Sequence, residues 1–262
     1  MINNNEIKIL MIGDIVGKPG RKIIKNKLAD ISQSYKINTI IANGENSAGG
    51  LSITPDIASE LFDCGVDIIT TGNHVWNNKS ITEMLINEPR LLRPANYPDS
   101  APGSGIYTLS NTSPKISVMN LQGRVEMQPI DCPFRKFDQL YSNIGDEKHI
   151  IIVDFHAEAT SEKKAFGWYL DGRASAVCGT HTHVQTADNE ILPGGTAYIS
   201  DIGMTGSFNS VIGMNKEKSI ENFLNQTRIR FEVATGDNRI NGVILTFSPE
   251  GKTLGIERLV VK

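Results

Sequence analysis

Cysteine is scarce in this chain, and its spacing argues against two kinds of site. The 262 residues include only three cysteines, Cys64, Cys132 and Cys178, which lie far apart and form no C-x-x-C pair. A disulfide framework or a zinc–thiolate site needs cysteines that are even in number or closely spaced. The pattern therefore predicts neither, and it favours a reducing compartment. We expect a cytoplasmic protein.

Long apolar runs and excess positive charge are also missing. No run approaches the ~18 apolar residues of a membrane span, and residues 1–6 contain no hydrophobic signal core. The formal net charge is −3, without a polybasic cluster, so binding to a membrane surface or to duplex DNA is not expected. A bound metal would instead have to attract an anionic substrate.

The chain does contain a series of short apolar runs, each followed by glycine and a polar residue. The first three runs lead to Gly13-Asp14, Gly44-Glu45 and Gly72-Asn73. They recur at the spacing of roughly 30 residues that is typical of a strand–helix–strand unit. Between them, helices are predicted over residues 21–35, from the cap Thr54 to about Cys64, and from a capping box at Ser80.

The later part of the chain predicts a second sheet. Proline and glycine punctuate residues 88–106, which we interpret as a long loop, and a helix is expected at 161–170. The whole pattern predicts one α/β domain over residues 1–262, with two sheets packed face to face and helices outside. Strands are predicted at 105–109, 116–121, 150–155, 176–179 and 196–200, and antiparallel strands at 228–233, 240–247 and 256–261.

Polar side chains with the chemistry of metal ligands follow the predicted strands. Because the carboxyl ends of parallel strands face a common crevice, we expect these side chains to lie close together. Imidazole, carboxylate and amide oxygens are typical ligands of divalent metals. The set is too large for one ion that must also bind water and substrate, so we predict two metals, with Glu45 able to bridge them. The six residues are Asp14, Glu45, Asn73, His156, His181 and His183.

Each of these residues also has a plainer interpretation. An Asp or Asn after a strand often caps a turn or a helix, and His74 could be a satisfied core histidine. The pair His181 and His183 is more specific, because positions i and i+2 of a strand point to the same face. The agreement among all the elements is what favours a metal site.

Other candidate motifs are weaker. Residues 13–18 hint at a phosphate loop, but the glycines are too close together and Pro19 replaces the hydroxyl that would bind magnesium. Trp76 and Trp168 are expected to pack in the core, and Cys178 is expected to be buried. An ion pair is the favoured interpretation for three arginines that could contact a phosphate, Arg93, Arg124 and Arg173.

The motifs occur in the order typical of calcineurin-like metallophosphoesterases, and longer segments resemble the YmdB-type cyclic-nucleotide phosphodiesterases. The resemblance covers residues 7–260 and implies a four-layer αββα sandwich with two divalent metals, iron or manganese, with zinc as an alternative. The segments that carry it are Asn43-Gly44-Glu45-Asn46, Arg93-Pro94-Ala95-Asn96, residues 154–162 and residues 171–188.

The resemblance also implies roles for single residues. His74 would be the proton donor of the reaction. Val16 stands where the wider superfamily has a histidine, Glu45 where it has an aspartate, and Val75 where it has an acid, so the partner that orients His74 is not visible. One metal would be held by Asp14, Glu45 and His183, with Asn46 within reach, and the other by Glu45, Asn73, His156 and His181.

The implied activity is hydrolysis of a cyclic nucleotide by a hydroxide that bridges the two metals. The favoured substrate is 2',3'-cyclic AMP, with 3',5'-cyclic AMP as a second choice. A regulatory link to RNA turnover implies the RNA-decay machinery as a partner, and a homo-oligomer is left open. The alternatives are a phosphomonoesterase or nuclease on the same scaffold, a metal-dependent amidohydrolase, and a non-catalytic regulator that senses metal or nucleotide.

Overall fold

Two β-sheets lie face to face between two layers of helices. The structure, a computed structural model, describes residues 6–109, 111–144, 149–226, 230 and 232–262. In the first strand, alternate side chains point to opposite faces. Ile9 and Met11 pack between the two sheets, whereas Leu10 and Ile12 pack against helices. The predicted four-layer αββα sandwich is confirmed.

The first sheet joins the two ends of the chain. Its strands are β1 (Ile7–Ile12), β2 (Asp14–Ile15), β3 (Thr39–Asn43), β4 (Ile68–Thr70), β11 (Met204–Ser207), β12 (Asn238–Phe247) and β13 (Thr253–Val261). Their order is β2-β11-β12-β1-β3-β4, and β13 also pairs with β12. Strand β3 pairs in parallel with β1, and β4 pairs in parallel with β3, whereas β12 runs antiparallel to β1. The carboxyl ends of β1, β3 and β4 therefore lie at one edge.

The second sheet has a parallel centre. Its strands are β5 (Ile106–Leu109), β6 (Lys115–Gln122), β7 (His149–His156), β8 (Ala176–Thr180), β9 (Glu190–Ile191) and β10 (Ala197–Ile199). The order is β5-β6-β7-β8-β10-β9. Strands β6, β7, β8 and β10 are parallel neighbours, and the two outer strands are antiparallel. The carboxyl ends of β7 and β8 thus lie side by side.

Helices cover the outer faces of both sheets. Helices α1 to α3 pack on the first sheet, and α4 and α5 pack on the second. No helix in the described part of the chain is long and apolar enough to cross a membrane. The helices are α1 (Gly17–Tyr35), α2 (Pro55–Asp63), α3 (Ile81–Asn87), α4 (Pro133–Ser142), α5 (Thr160–Leu170) and α6 (Lys216–Asn225), with a short 3-10 turn at Val75–Asn77.

Local capping signals predicted both helix starts correctly, but only one of the two caps forms as expected. Thr54 caps α2, because the Ile57 N–H donates to its Oγ1 at 3.3 Å. The capping box predicted at Ser80 does not form. Ser80 instead donates to Asn78 Oδ1 from its backbone N–H at 3.0 Å and from its hydroxyl at 2.8 Å. Helix α3 still follows, because Ile81 and Leu85 are buried.

Two helices and one strand differ from the sequence prediction. Helices α4 and α6 were not predicted, and in α6 the apolar Phe223 and Leu224 face solvent, so no buried stripe marks the helix. The strand predicted at 228–233 lies mostly outside the described residues. Val233 forms only an isolated bridge to Met214.

The predictions for the weaker candidate residues, namely buried tryptophans, a buried cysteine and paired arginines, have mixed outcomes. The prediction for Trp168 is wrong, since it is 56% exposed, whereas Cys178 is fully buried as expected. Trp76 packs edge-to-face on Tyr97, with ring centroids 5.6 Å apart. The predicted ion pair of Arg173 is present, with Asp138 at 2.7 Å.

Candidate metal centre

The site lies where the carboxyl ends of strands from both sheets meet. Asp14 follows β1, Glu45 follows β3 and Asn73 follows β4, while His156 ends β7 and His181 follows β8. Glu45 Oε1 lies 3.1 Å from His156 Nε2, so this contact joins the two sheets. The convergence expected from the strand order is therefore observed.

Four potential ligand atoms gather closely in one half of the centre. Asn73 Oδ1 and His181 Nδ1 each lie 3.0 Å from His156 Nε2, and Glu45 Oε1 lies 3.1 Å from the same atom. One ligand atom from each of Glu45, His156 and His181 lies within 4.8 Å of the other two. This combination of imidazole, carboxylate and amide groups is suited to a divalent metal.

The other half of the centre is more open. Asp14 Oδ1 lies 3.9 Å from His183 Nε2 and 3.8 Å from His156 Nδ1. Asp14 Oδ2 accepts a hydrogen bond from the His181 backbone N–H at 3.1 Å. Asn46 Nδ2 lies 3.0 Å from His183 Nε2. The structure thus brings all seven sequence-predicted ligand residues into one centre.

Both carboxylates of the centre are buried, and each has an oxygen with no hydrogen bond. Asp14 and Glu45 are fully buried. Asp14 Oδ1 and Glu45 Oε1 accept no hydrogen bond of good geometry, although imidazole nitrogens lie near both. A buried charge is costly unless it is paired or coordinates a metal. The residues present therefore fit a divalent cation.

Burial and neighbouring charges shift the pKa values of the centre in different directions. Burial raises the pKa of the Asp14 carboxyl. For Glu45, burial is outweighed by the adjacent His156, and the pKa lies well below its usual range. Burial opposes a charge on His156, but Glu45 and Asp14 outweigh it and raise that pKa to about 9. Burial and the positive His156 lower the pKa of His181 to about 3, so His181 stays neutral.

Two of the histidines have an acceptor on the nitrogen that faces away from the centre. His183 Nδ1 donates to the Ile212 carbonyl at 2.8 Å. His181 Nε2 lies 3.1 Å from the Glu158 carboxylate. A neutral imidazole carries one proton, so these contacts leave His183 Nε2 and His181 Nδ1 as lone pairs directed at the centre.

His156 is oriented through a buried relay to Asp154. The Thr180 hydroxyl donates to Asp154 Oδ1 at 2.6 Å, so its oxygen accepts from His156 Nδ1 at 2.9 Å. Asp154 Oδ2 accepts from Asn43 Nδ2 at 3.1 Å and from the Thr70 hydroxyl. Burial raises the pKa of Asp154 to about 6. The relay directs His156 Nε2 towards the ligand cluster.

The two histidines after β8 do not lie on a strand. Strand β8 ends at Thr180, and His181 and His183 have φ angles of 98° and 65°, in the left-handed region. The expectation that they share one face of a strand is therefore wrong. Loop geometry sends His181 Nδ1 towards His156 and His183 Nε2 towards Asp14.

A buried ion pair holds this loop in place. Lys163 Nζ donates to Asp201 Oδ2 at 2.7 Å and to the Thr180 carbonyl at 2.8 Å. The Thr182 N–H and hydroxyl also donate to Asp201 Oδ2, at 3.0 and 2.7 Å. Sequence reasoning missed Lys163, Asp201 and the role of Glu158. The one available signal was the acidic residues that flank His156.

His74 lies at the edge of the centre. Its Nδ1 donates to Asn46 Oδ1 at 3.2 Å and lies 2.9 Å from Glu45 Oε1. These contacts supply the orienting partners that were not visible in the sequence. The close approach depends on Gly72, because a Cβ at that position would overlap Glu45 Oε2 and the His156 ring.

An open pocket adjoins the centre. Its volume is about 390 Å³, and His74, His181 and His183 are among the residues that line it. Ligand pockets commonly measure ~300–1,000 Å³. A molecule of nucleotide size could therefore lie in it while touching the centre.

Known proteins resemble this chain over almost its whole length. A family model described as YmdB-like protein matches residues 10–259. A Bacillus subtilis (strain 168) protein named 2',3'-cyclic-nucleotide 2'-phosphodiesterase is 46% identical over 97% of each chain. A crystal structure described as a novel phosphatase from Mycoplasma pneumoniae is 38% identical, with a TM-score of 0.92 over 98% of this chain and 94% of that one. A putative 5'-nucleotidase from Staphylococcus aureus, 16% identical, shares the fold with a TM-score of 0.59 over 98% of this chain and 54% of its own.

Proposed function

Since the chain belongs to the YmdB-like family, we propose that it is a phosphodiesterase that opens 2',3'-cyclic nucleotides with two divalent metals. The observation that carries the proposal is the cluster around His156 Nε2, where three other residues place ligand atoms within 3.1 Å. A phosphoester hydrolase is the class predicted from the motifs, and the names of the relatives agree with it.

The proposed ligands form two groups that share Glu45. The buried carboxylate oxygens without hydrogen bonds and the directed imidazole lone pairs support both groups. Iron and manganese are the proposed ions, with zinc as an alternative, because imidazole and carboxylate ligands bind all three. The tighter group is Glu45, Asn73, His156 and His181, and the more open group is Asp14, Glu45 and His183, with Asn46 at its edge.

The chain's own contribution to the reaction is to hold a proton at His74. When bound, the divalent ions supply Lewis acidity and lower the pKa of the attacking water. Because His74 Nδ1 donates its proton to Asn46 Oδ1, the proton offered to the substrate is the second one, carried on Nε2 of the imidazolium form. The attacking water would lose one proton to solvent as its oxygen bonds to phosphorus. As the P–O2' bond breaks, Nε2 gives its proton to the departing 2'-oxygen, and a 3'-phosphomonoester remains.

The charge of the centre suits a singly charged diester. Asp14 and Glu45 contribute two negative charges and the attacking hydroxide would contribute a third, so two divalent ions would leave a surplus of about one positive charge. A 2',3'-cyclic diester is also strained, which favours its opening. Such cyclic ends form when the 2'-hydroxyl of RNA displaces the neighbouring nucleotide. This chemistry supports the proposed connection with RNA turnover.

A phosphomonoesterase is the second candidate. The observation that favours it is the Mycoplasma pneumoniae structure, which is described as a phosphatase and shares the fold at a TM-score of 0.92. A dianionic monoester carries one more negative charge than a diester and would leave the loaded centre negative instead of neutral. The two candidates therefore differ in the charge state of the preferred substrate.

Parallel assays test the proposal. Metal-free protein is reconstituted with manganese or iron and offered 2',3'-cyclic AMP, 3'-AMP and a long RNA. We expect rapid metal-dependent opening of the cyclic diester to 3'-AMP and slow turnover of the other two. Absence of activity on the cyclic diester, with a loaded centre, would refute the proposal, and faster release of phosphate from 3'-AMP would favour the monoesterase.

A further inference from the structure

Five of the residues that line the pocket beside the metal centre are apolar. They are Leu51, Val211, Ile212, Met214 and Phe223, and we call these five residues the apolar wall. Leu51, Ile212 and Phe223 are 51%, 50% and 70% exposed. Large apolar side chains that cluster in the open beside a functional site mark a binding surface. The apolar wall is therefore suited to a ligand with an apolar part.

Three separate segments of the chain form the wall. Leu51 follows a turn in which Gly49 and Gly50 have φ angles of 66° and 93°. The turn lies against the second segment, since a Cβ on Gly50 would be only 2.7 Å from Met214 Cε. Phe223 comes from α6, whose start is capped by the Asn215 side chain. The fold thus holds the wall next to the metal centre.

We propose that the apolar wall is a seat for the nucleobase of the substrate, with Phe223 as the stacking platform. This inference rests on the proposed function. His74, His181 and His183 line the same pocket, so a phosphate at the centre places the remainder of the molecule against the wall. A nucleobase is the part of a cyclic nucleotide that offers a large apolar face. Stacking of a base on an aromatic ring is a common mode of nucleotide binding.

The polar side chains around the pocket already have hydrogen-bond or ion-pair partners within the protein. The Ser219 hydroxyl donates to the Asn215 carbonyl at 2.8 Å. The Thr182 hydroxyl is engaged by Asp201 at 2.7 Å, and Glu158 is engaged by His181. Bases are discriminated by hydrogen bonds to their edges, whereas every base has a face that can stack. Because stacking is the main interaction offered by the seat, we expect it to accept adenine, guanine, cytosine and uracil with similar efficiency.

A matched pair of variants on α6 tests the seat. Phe223→Ala removes the stacking platform, whereas Leu224→Ala truncates the next residue, which is 77% exposed and lies outside the pocket lining. The substrates are the four 2',3'-cyclic nucleotides and the 2',3'-cyclic phosphate of methyl riboside, which has no base. The measured quantity is the ratio of kcat/KM with a base to kcat/KM without one.

We expect wild-type protein to prefer all four nucleotides over the base-free ester. Loss of a stacked base costs roughly 5- to 150-fold in binding, so Phe223→Ala should lower the ratio by that factor, mainly through KM. Phe223→Tyr should restore it, and Leu224→Ala should leave it at the wild-type value. This pattern would be the same for each base.

Three results would overturn the seat. Equal turnover of nucleotides and base-free ester by wild-type protein would show that no base is bound, while leaving the proposed function intact. A more than tenfold preference for one base would overturn Phe223 stacking as the main interaction, because stacking alone does not distinguish the bases so strongly. An unchanged ratio for Phe223→Ala would overturn the seat, and a smaller mass in solution for both α6 variants would then make the wall a contact between copies of the chain. Turnover of neither substrate class by wild-type protein would instead defeat the proposed function itself.

Discussion

We predict that the contact between Glu158 and His181 strengthens metal binding at the centre. Glu158 Oε2 lies 3.1 Å from His181 Nε2, on the side of the ring away from the centre. Glu158→Ala removes this acceptor, so the imidazole loses both its orientation and the carboxylate that increases its basicity. We expect the metal held by His181 to bind more weakly, although Glu158 itself does not face the metal.

The structure suggests the size of the effect. Removal of such an outer partner typically lowers metal affinity 10- to 100-fold. The Glu158 side chain is 44% exposed, so water can replace it in part. We therefore expect metal affinity to fall ~10-fold, which corresponds to about 1.4 kcal/mol of binding free energy. The free energy of unfolding of the metal-free protein should change by less than ~1 kcal/mol, as is usual for a partly exposed ion pair.

Calorimetric titration of metal-free protein with manganese measures this loss directly. One of the two binding steps should weaken, while the step assigned to Asp14 and His183 should not change. Glu158→Gln should recover part of the affinity, because its amide oxygen can still accept a hydrogen bond. Glu190→Ala is the matched control, since its carboxylate is similarly exposed and pairs with Lys164 at 3.4 Å.

Two outcomes would contradict the reasoning. If Glu158→Ala binds manganese as tightly as wild-type protein, the carboxylate does not orient His181. If both binding steps weaken equally, or if thermal unfolding of the metal-free variant shifts strongly, the residue supports the fold of the loop in general.

Other predictions test the remaining parts of the centre. His74→Asn should lower kcat for the cyclic diester by ~10²–10⁴, the usual contribution of a general acid, with bound metal per chain unchanged by elemental analysis; an unchanged kcat would remove His74 from the mechanism. Gly72→Ala should abolish metal binding, because the new Cβ would displace Glu45 and His156; full metal content in this variant would contradict that steric argument. Treatment with a chelator should stop turnover, and added manganese should restore it. Burial opposes the charge on Asp188, but hydrogen bonds from Lys164 and Ser200 outweigh it and hold the pKa well below its usual range. The stability from this carboxylate is therefore present above pH ~4, the ordinary aspartate pKa, and is lost as the pH falls further. Asp188→Asn should flatten the fall in unfolding free energy below that pH in denaturant titrations, and an unchanged slope would assign acid lability elsewhere.

The relation between sequence and site is clearest in the ligands that follow strands. Asp14, Glu45 and Asn73 come directly after apolar runs spaced as strand–helix–strand units, so their arrival at one edge could be predicted. His156 could be placed in the same way. This information is local, because side-chain alternation and the parallel order of strands depend on residues close together in the chain.

Contacts between distant loops could not be predicted in this way. His181 and His183 were expected on one face of a strand, but each adopts a left-handed conformation that depends on the loop around Asp201. No local pattern connects His183 with the carbonyl of Ile212, or the turn before Leu51 with α6. Such conformations are strained for non-glycine residues, and tertiary contacts must maintain them.

The sequence by itself thus determined the strands in which side chains alternate between two faces, and the apolar face of α1. It also determined that imidazole, carboxylate and amide groups meet at the centre. Only the tertiary structure decided which nitrogen of each histidine faces the centre, which partner orients His74 and where the apolar wall lies. Periodicity in a sequence records whether a residue faces inward or outward. It does not record how far apart two loops are once the chain has folded, and hydrogen bonds and stacking depend on that distance.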